Sequence, residues 1–176
     1  MKFKGKLIIT DPCYITKDED WDDPYECTLS SNGVTAISEH TGIGDGSWNA
    51  YLTESDPYQV VHELQEWIDK NYPGEEAPSE EKDAFYDGFD KQVAIYVKDT
   101  LGGFCADAGM SCVAELDSLV AYNPEAQEFI DNHDWCVAEL PEFDGEVDDL
   151  RIFFPGTWEH EQLVFVGKGN YNFFTL

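Results

Sequence analysis

Short runs in which apolar and polar residues alternate recur along the chain: KFKGKLIIT (2–10), GVTAIS (33–38), SWNAYLT (47–53), VAIYV (93–97), SCVAEL (111–116), WCVAEL (135–140), LRIFF (150–154) and QLVFVGKG (162–169). A period of two sends successive side chains to opposite faces of an extended strand, so a half-buried sheet is what such runs build. Each run is bounded by Gly, Asp, Asn or Pro. The segments GDG (44–46) and FDGE (143–146) predict tight hairpins, because Asp-Gly supplies the positive φ that they demand. The pattern predicts seven to nine short antiparallel strands.

Helical spacing is rarer. Asp56 can cap PYQVVHELQEWIDKNY, with Pro57 in the first helical position and Gln59 placed for a capping box. Val60, Val61, Leu64, Trp67 and Ile68 then form one apolar stripe, with Gln59, Glu63, Glu66 and Lys70 facing water. A second helix follows Ser79 and buries Phe85 and Phe89. A third starts after Asn123 with Pro124 and buries Ala126, Phe129 and Ile130. YPGEEAPSEE, between the first two helices, reads as an inter-helix loop. The expectation is an α+β fold: a curved antiparallel sheet or two-layer β structure with two to three packed helices. Residues 1–176 read as a single domain, long enough to bury roughly 70% of the surface that the unfolded chain exposes.

Charge is the unusual quantity. The 37 acids face 10 bases, for a net charge of −27, and Arg151 is the sole arginine. With 14% aromatic residues the chain stands apart from disordered acidic sequences, which are poor in aromatics. A negative field steers basic surfaces into encounter, whereas direct binding to nucleic acid or to an anionic membrane needs a basic face. The apolar run Leu7 to Ile9 is too short for a signal-peptide core, and no stretch reaches the 18 apolar residues of a membrane span. The five cysteines (13, 27, 105, 112 and 136) are odd in number and scattered, as suits reduced thiols. Together these predict a cytoplasmic protein of a bacterial host, with no membrane partner.

The chemical motifs are all incomplete. Asp18, Asp20 and Asp22 have the opening spacing of a calcium loop, but Asp23 and Leu29 stand where it needs Gly and Glu. HELQE from His62 has Glu66 in place of the second histidine of a zinc-protease helix. GKGN (167–170) has Gln162 where a P-loop has its first Gly, and GMSC (109–112) has Val113 where a nucleophile elbow has its second. No cofactor, metal or catalytic residue is assigned. Asp11, Cys13, Asp45 and Asp107, each at a turn, form a candidate ligand site if the sheet brings them together.

The segments LIITDPCYI, TGIGDGSW, FCADAGMSC and VGKGNYNFF resemble a family of uncharacterised proteins found in phages, mobile elements and gut bacteria. The resemblance implies no site residues. By type, its size and acidity also resemble phage-encoded anti-defence inhibitors, anti-CRISPR proteins among them. That likeness implies an acidic DNA mimic that occupies the basic nucleic-acid-binding surface of a partner, such as a CRISPR nuclease or another nucleic-acid-binding protein. Its contact residues would be Asp18, Glu19, Asp20, Trp21, Asp22, Asp23, Tyr25 and Glu26, with Glu142, Phe143, Asp144, Glu146, Asp148 and Asp149. A third acidic run, Glu75 to Asp90, holds seven acids. The alternative is a domain or hydrolase that binds a small ligand or divalent cation at Asp11, Cys13, Asp45 and Asp107, with the acidity as a coat.

Overall fold

A computed structural model describes residues 1–20, 29–40, 46–107, 109–155, 162–167 and 170–175. Nine strands and four α-helices lie among these residues, so the fold is α+β. Two antiparallel sheets stack face to face. One has the order β2 (Ala36–His40), β5 (Met110–Glu115), β1 (Lys2–Thr10), β6 (Ala138–Glu146). The other runs β4 (Asp99–Ala106), β3 (Gly46–Leu52), β7 (Ile152–Pro155), β8 (Gln162–Gly167), β9 (Asn170–Thr175).

The alternation read from the sequence sorts the side chains between layers. From β1, Phe3, Leu7 and Ile9 point between the sheets, where they meet Trp48 and Ala50 of β3, Phe104 of β4, and Ile152 and Phe154 of β7. Ile8 turns outward instead, to Cys112 and Ala114 of β5 and to Leu119, Ala126 and Ile130 of the short helices α3 (Leu116–Tyr122) and α4 (Glu125–Asn132). On the other outer face Phe153 meets Val60, Val61, Leu64, Phe85, Phe89 and Val93 of the longer helices α1 (Pro57–Asn71) and α2 (Ser79–Tyr96). The result is four layers, with helices outside both sheets and three apolar seams between them.

Asp56 caps α1 as expected, its Oδ1 accepting the Tyr58 N–H at 2.9 Å. Gln59 does not close a capping box; its amide donates to Glu63 at 2.7 Å. Three further expectations are corrected. VAIYV is not a strand but the end of α2, because Val93 continues the helical spacing of Phe85 and Phe89 while Ile95 stands 67% exposed. FDGE is no hairpin: Asp144 and Gly145 sit inside β6, opposite Lys4 and Phe3. The glycine there makes room for an aromatic ring, since a Cβ on Gly145 would lie 3.1 Å from Phe143. Helices number four rather than two to three, because LDSLVAY, directly after β5, forms α3. It begins without a side-chain cap, so no start signal marked it.

β4 was also hidden, its alternation interrupted by Gly102 and Gly103. At Gly102, φ is +112° and the pairing with β3 slips between Ala50 and Tyr51, a bulge that glycine accommodates. A Cβ there would lie 3.5 Å from the Cα of Ala138. The edge strand β4 lies close against the start of β6, the edge of the other sheet, and the Cys105 N–H donates to the Cys136 carbonyl at 3.4 Å. No helix among the described residues is long and apolar enough to cross a membrane.

Candidate functional site

Three chain reversals meet near the point where β4 and β6 converge: the turn after β1, the β4–β5 turn, and the residues leading into β6. Asp11 fastens the first two. Its carboxylate is 0% exposed; Oδ1 accepts the Cys13 N–H at 2.8 Å and Oδ2 the Met110 N–H at 3.4 Å. Pro12 then sets the φ of a 3₁₀ turn, Pro12–Tyr14. The Thr10 hydroxyl fastens the third, donating to the Cys136 carbonyl at 3.1 Å.

Tyr14 is placed by this turn. Its ring stacks on Phe129 of α4 at 4.8 Å, and Phe129 stacks in turn on His133 at 4.3 Å. Its hydroxyl reaches the exposed Asp107 carboxylate and the Cys136 thiol. Burial, then the hydrogen bonds to Asp107 and Cys136, raise the Tyr14 pKa well above the ordinary tyrosine value.

The chain beyond Tyr14 is bound to α3 and α4 by polar contacts. Asn123 donates from Nδ2 to the Ile15 carbonyl at 2.9 Å. The Lys17 N–H donates to the Tyr122 hydroxyl at 3.1 Å, and that hydroxyl donates to Asp20 at 2.7 Å. The Lys17 ammonium lies 4.9 Å over the Tyr122 ring, a cation–π arrangement.

Between these parts opens a cleft of about 600 Å³. Cys13, Tyr14, Thr16 and Lys17 line one side, Asn123, Pro124 and Phe129 the other, and Asp18, Glu19 and Glu125 supply its carboxylates. Thr16 is 7% exposed, and its hydroxyl has no hydrogen-bond partner among the described residues. That hydroxyl has almost no accessible surface, so it lies within the cleft wall rather than in the opening. A smaller hollow of about 400 Å³ lies by Leu140, Phe143 and Asp149. Its two cations are already engaged with Glu54, Lys98 through the carboxylate at 3.2 Å and Arg151 through the carbonyl at 3.2 Å.

The residues singled out from sequence fall in separate places. Asp11, Cys13 and Asp107 come together at the corner, but Asp11 is consumed by main-chain donors; Asp45 lies outside the described residues. Asp18 and Glu19 line the cleft and Asp20 accepts from Tyr122, while Trp21, Asp22, Asp23, Tyr25 and Glu26 fall outside the described residues. The later cluster follows the β6 edge, where the lysines of β1 offset it: Lys2 meets Asp144 at 2.7 Å and Lys6 meets Glu139 at 2.7 Å. Glu146 pairs with the N-terminal amine at 3.1 Å, and Asp149 accepts the Glu146 N–H at 3.2 Å. Glu142 and Asp148 are exposed, and Phe143 packs partly into the core. The Glu75–Asp90 run sits on α2 and the loop before it, on the outer layer opposite α4. The described acids are thus spread over both helical layers and the edge between them.

Sequence reasoning missed Tyr14, Thr16, Asn123 and Phe129 as members of one site. DPCYI drew attention to its Asp and Cys, and Asn123 and Phe129 read only as a helix start and a core residue. No group of three or more His, Cys, Asp or Glu among the described residues is placed to hold a metal ion. No protein family, curated protein or solved structure matches the chain.

Proposed function

We propose that this protein binds a small organic amine in the cleft between the turn after β1 and helices α3 and α4, and that its acidity elsewhere is a solubilising coat. The observation that carries the reading is a cleft walled by the Tyr14–Phe129 stack and rimmed by Asp18, Glu19 and Glu125. Three carboxylates against one lysine leave the rim anionic, and Lys17 is drawn aside over Tyr122. An ammonium group gains from carboxylates and from neighbouring aromatic rings. The DPCYI and FCADAGMSC segments, through which the chain resembles uncharacterised phage and gut-bacterial proteins, both run into this corner.

Thermal melts in putrescine, MgCl₂ and NaCl at matched ionic strength test the proposal. A ligand selective for the native state raises Tm with saturation. Putrescine is expected to do so, and the doubly substituted Asp18→Asn, Glu125→Gln protein to lose the response. Equal shifts from NaCl and putrescine would mean general screening and would refute the site.

One observation favours the second reading, an acidic inhibitor that covers the basic nucleic-acid-binding surface of a DNA-handling enzyme. On α2, Glu80, Glu81, Asp83, Asp87 and Asp90 are exposed and form no ion pair among the described residues. Among the described residues, lysines pair with Asp144 and Glu139 of the β6 cluster, so α2 is the set of acids on which mimicry is tested. A host-lysate pull-down at low and moderate salt separates the readings. Capture of a basic nuclease, released by added DNA and lost on replacing the five α2 acids with Asn or Gln, supports mimicry.

A further inference from the structure

Cys105 and Cys136 take no part in the proposed amine site, yet they lie where the two sheets come closest. Cys105 is in the edge strand β4 and Cys136 two residues before the edge strand β6. Their main chains are joined by the 3.4 Å hydrogen bond described above, and their thiols are in hydrogen-bonding contact. Two glycines lie at this approach: Gly102 has a φ of +112°, which favours glycine, and Gly103 faces the Trp135 carbonyl oxygen, which a Cβ there would meet at 3.6 Å. Both cysteines are reduced. They are 8% and 1% exposed, beside Trp135, which is 64% exposed, and Asp107 at the surface.

We infer that Cys105 and Cys136 are a thiol pair that a hydroperoxide converts to a disulfide linking the edges of the two sheets. Cys105, the more exposed of the two, reacts first. Its thiolate attacks one peroxide oxygen, the O–O bond breaks, and the departing hydroxide takes a proton to leave as water. The Cys136 thiolate then attacks the sulfenic sulfur of Cys105; the S–S bond forms, the S–O bond breaks, and hydroxide leaves to become a second water. Two thiols and one hydrogen peroxide give one disulfide and two waters, the thiols being oxidised and the peroxide reduced.

Burial is the leading cause that pushes the Cys136 thiol up to about 11, its contact with Cys105 adding to the rise. Scarcity of thiolate makes closure slow, and a poor leaving thiolate makes the finished bridge slow to reduce. Trapping two strands that belong to different sheets also restricts the unfolded chain. The oxidised protein therefore melts at a higher temperature. The bridge removes the thiol that Tyr14 touches, so the cleft wall responds to it.

The test treats the reduced full chain with hydrogen peroxide, blocks residual thiols and cleaves on the N-terminal side of aspartate. That digestion puts Cys105 in 99–106, Cys112 in 107–116 and Cys136 in 134–143. Joined 99–106 and 134–143, separated again by dithiothreitol, together with a rise in Tm, is the expected result. Cys105→Ser and Cys136→Ser should each abolish the joined pair, but the wild-type digest decides even where a variant folds poorly. A bridge to Cys13, Cys27 or Cys112, sulfinic acid at Cys105 without a bridge, or no oxidation would each overturn the assignment.

Discussion

The two outer helical layers rest on the same pair of sheets and both carry carboxylates, but they cover their sheets differently. α1 and α2, of 15 and 18 residues, close over β7 with a seam of rings in which Trp67 lies 5.3 Å from Phe85 and 6.1 Å from Phe89. α3 and α4 have 7 and 8 residues, too short to be stable alone; Leu119, Ala126 and Ile130 pack them on the sheet, and bonds from Asn123 and Tyr122 tie them to the turn after β1. The long pair seals its face, whereas the short pair leaves a cleft. Incomplete coverage, rather than density of charge, is what separates a candidate site from a solvated coat.

The sharpest way to break this comparison is to damage the sealed layer and ask whether the open one notices. Phe89→Ala removes a buried ring from a dry seam and is expected to cost about 3–5 kcal/mol in urea unfolding. The putrescine response of the folded fraction should survive, because the cleft is on the opposite outer layer. Loss of that response would mean that the two layers do not act independently.

Asp11→Ala attacks the open layer at its anchor. The substitution strands the Cys13 and Met110 N–H groups in a buried place, which predicts a loss of about 2–3 kcal/mol. Here the amine response should disappear together with the stability, since the turn that positions Tyr14 and Thr16 is no longer fixed. Asp11→Asn keeps an acceptor and should fall between the two. An unchanged response in Asp11→Ala would show that the cleft is shaped by α3 and α4 alone.

These layers also differ in how far they could be read from sequence. α1 was legible down to its cap because Asp56, Pro57 and the stripe from Val60 to Ile68 all state the same thing locally. The strand alternation was likewise legible in β1, and the structure then shows which of its residues face which layer. The open layer depends on pairings distant in the chain: Asp11 with Met110, Tyr14 with Phe129, Ile15 with Asn123. Nothing local announces such contacts, so Asp11 stood as one member of a candidate ligand site without its bond to Met110 being foreseen, and Tyr14 was passed over. VAIYV failed for a related reason. Five apolar or aromatic residues suit a strand or a helix end, and only the distant match of Val93 to Phe85 and Phe89 decides.

Both layers have a tyrosine bonded to a carboxylate with a raised pKa, Tyr14 and Tyr96, and the pair sharpens the comparison at smaller energies. Tyr14 is held by burial first and Asp107 second, so its pKa lies above the ordinary value of 10.0. A raised pKa gives stability that is complete below the unfolded value and lost as pH climbs past it, because the unfolded chain then ionises first. Tyr14→Phe should cost about 1 kcal/mol at neutral pH and flatten the fall in stability above pH ~10.

Tyr96, at the end of α2, is the counterpart on the sealed layer, and the smallest effect belongs to it. Its hydroxyl donates to Glu63, which is also bonded by Gln59; Tyr96 and then Gln59 hold the Glu63 carboxyl below its usual value, and Glu63 pushes Tyr96 up to about 12. The signs give two windows. Stability from Glu63 is complete above the unfolded glutamate value and is lost as pH falls through the lowered folded one. Stability from Tyr96 is complete below pH ~10 and is lost on the way to about 12. Both groups are substantially exposed, so solvent screening cuts the pair to a few tenths of a kcal/mol. Tyr96→Phe should therefore leave stability at pH 7 almost unchanged and alter only the two outer limbs of the pH profile. A loss comparable to that of Tyr14→Phe would show that this surface is more tightly closed than its exposure implies, and the contrast between the layers would narrow.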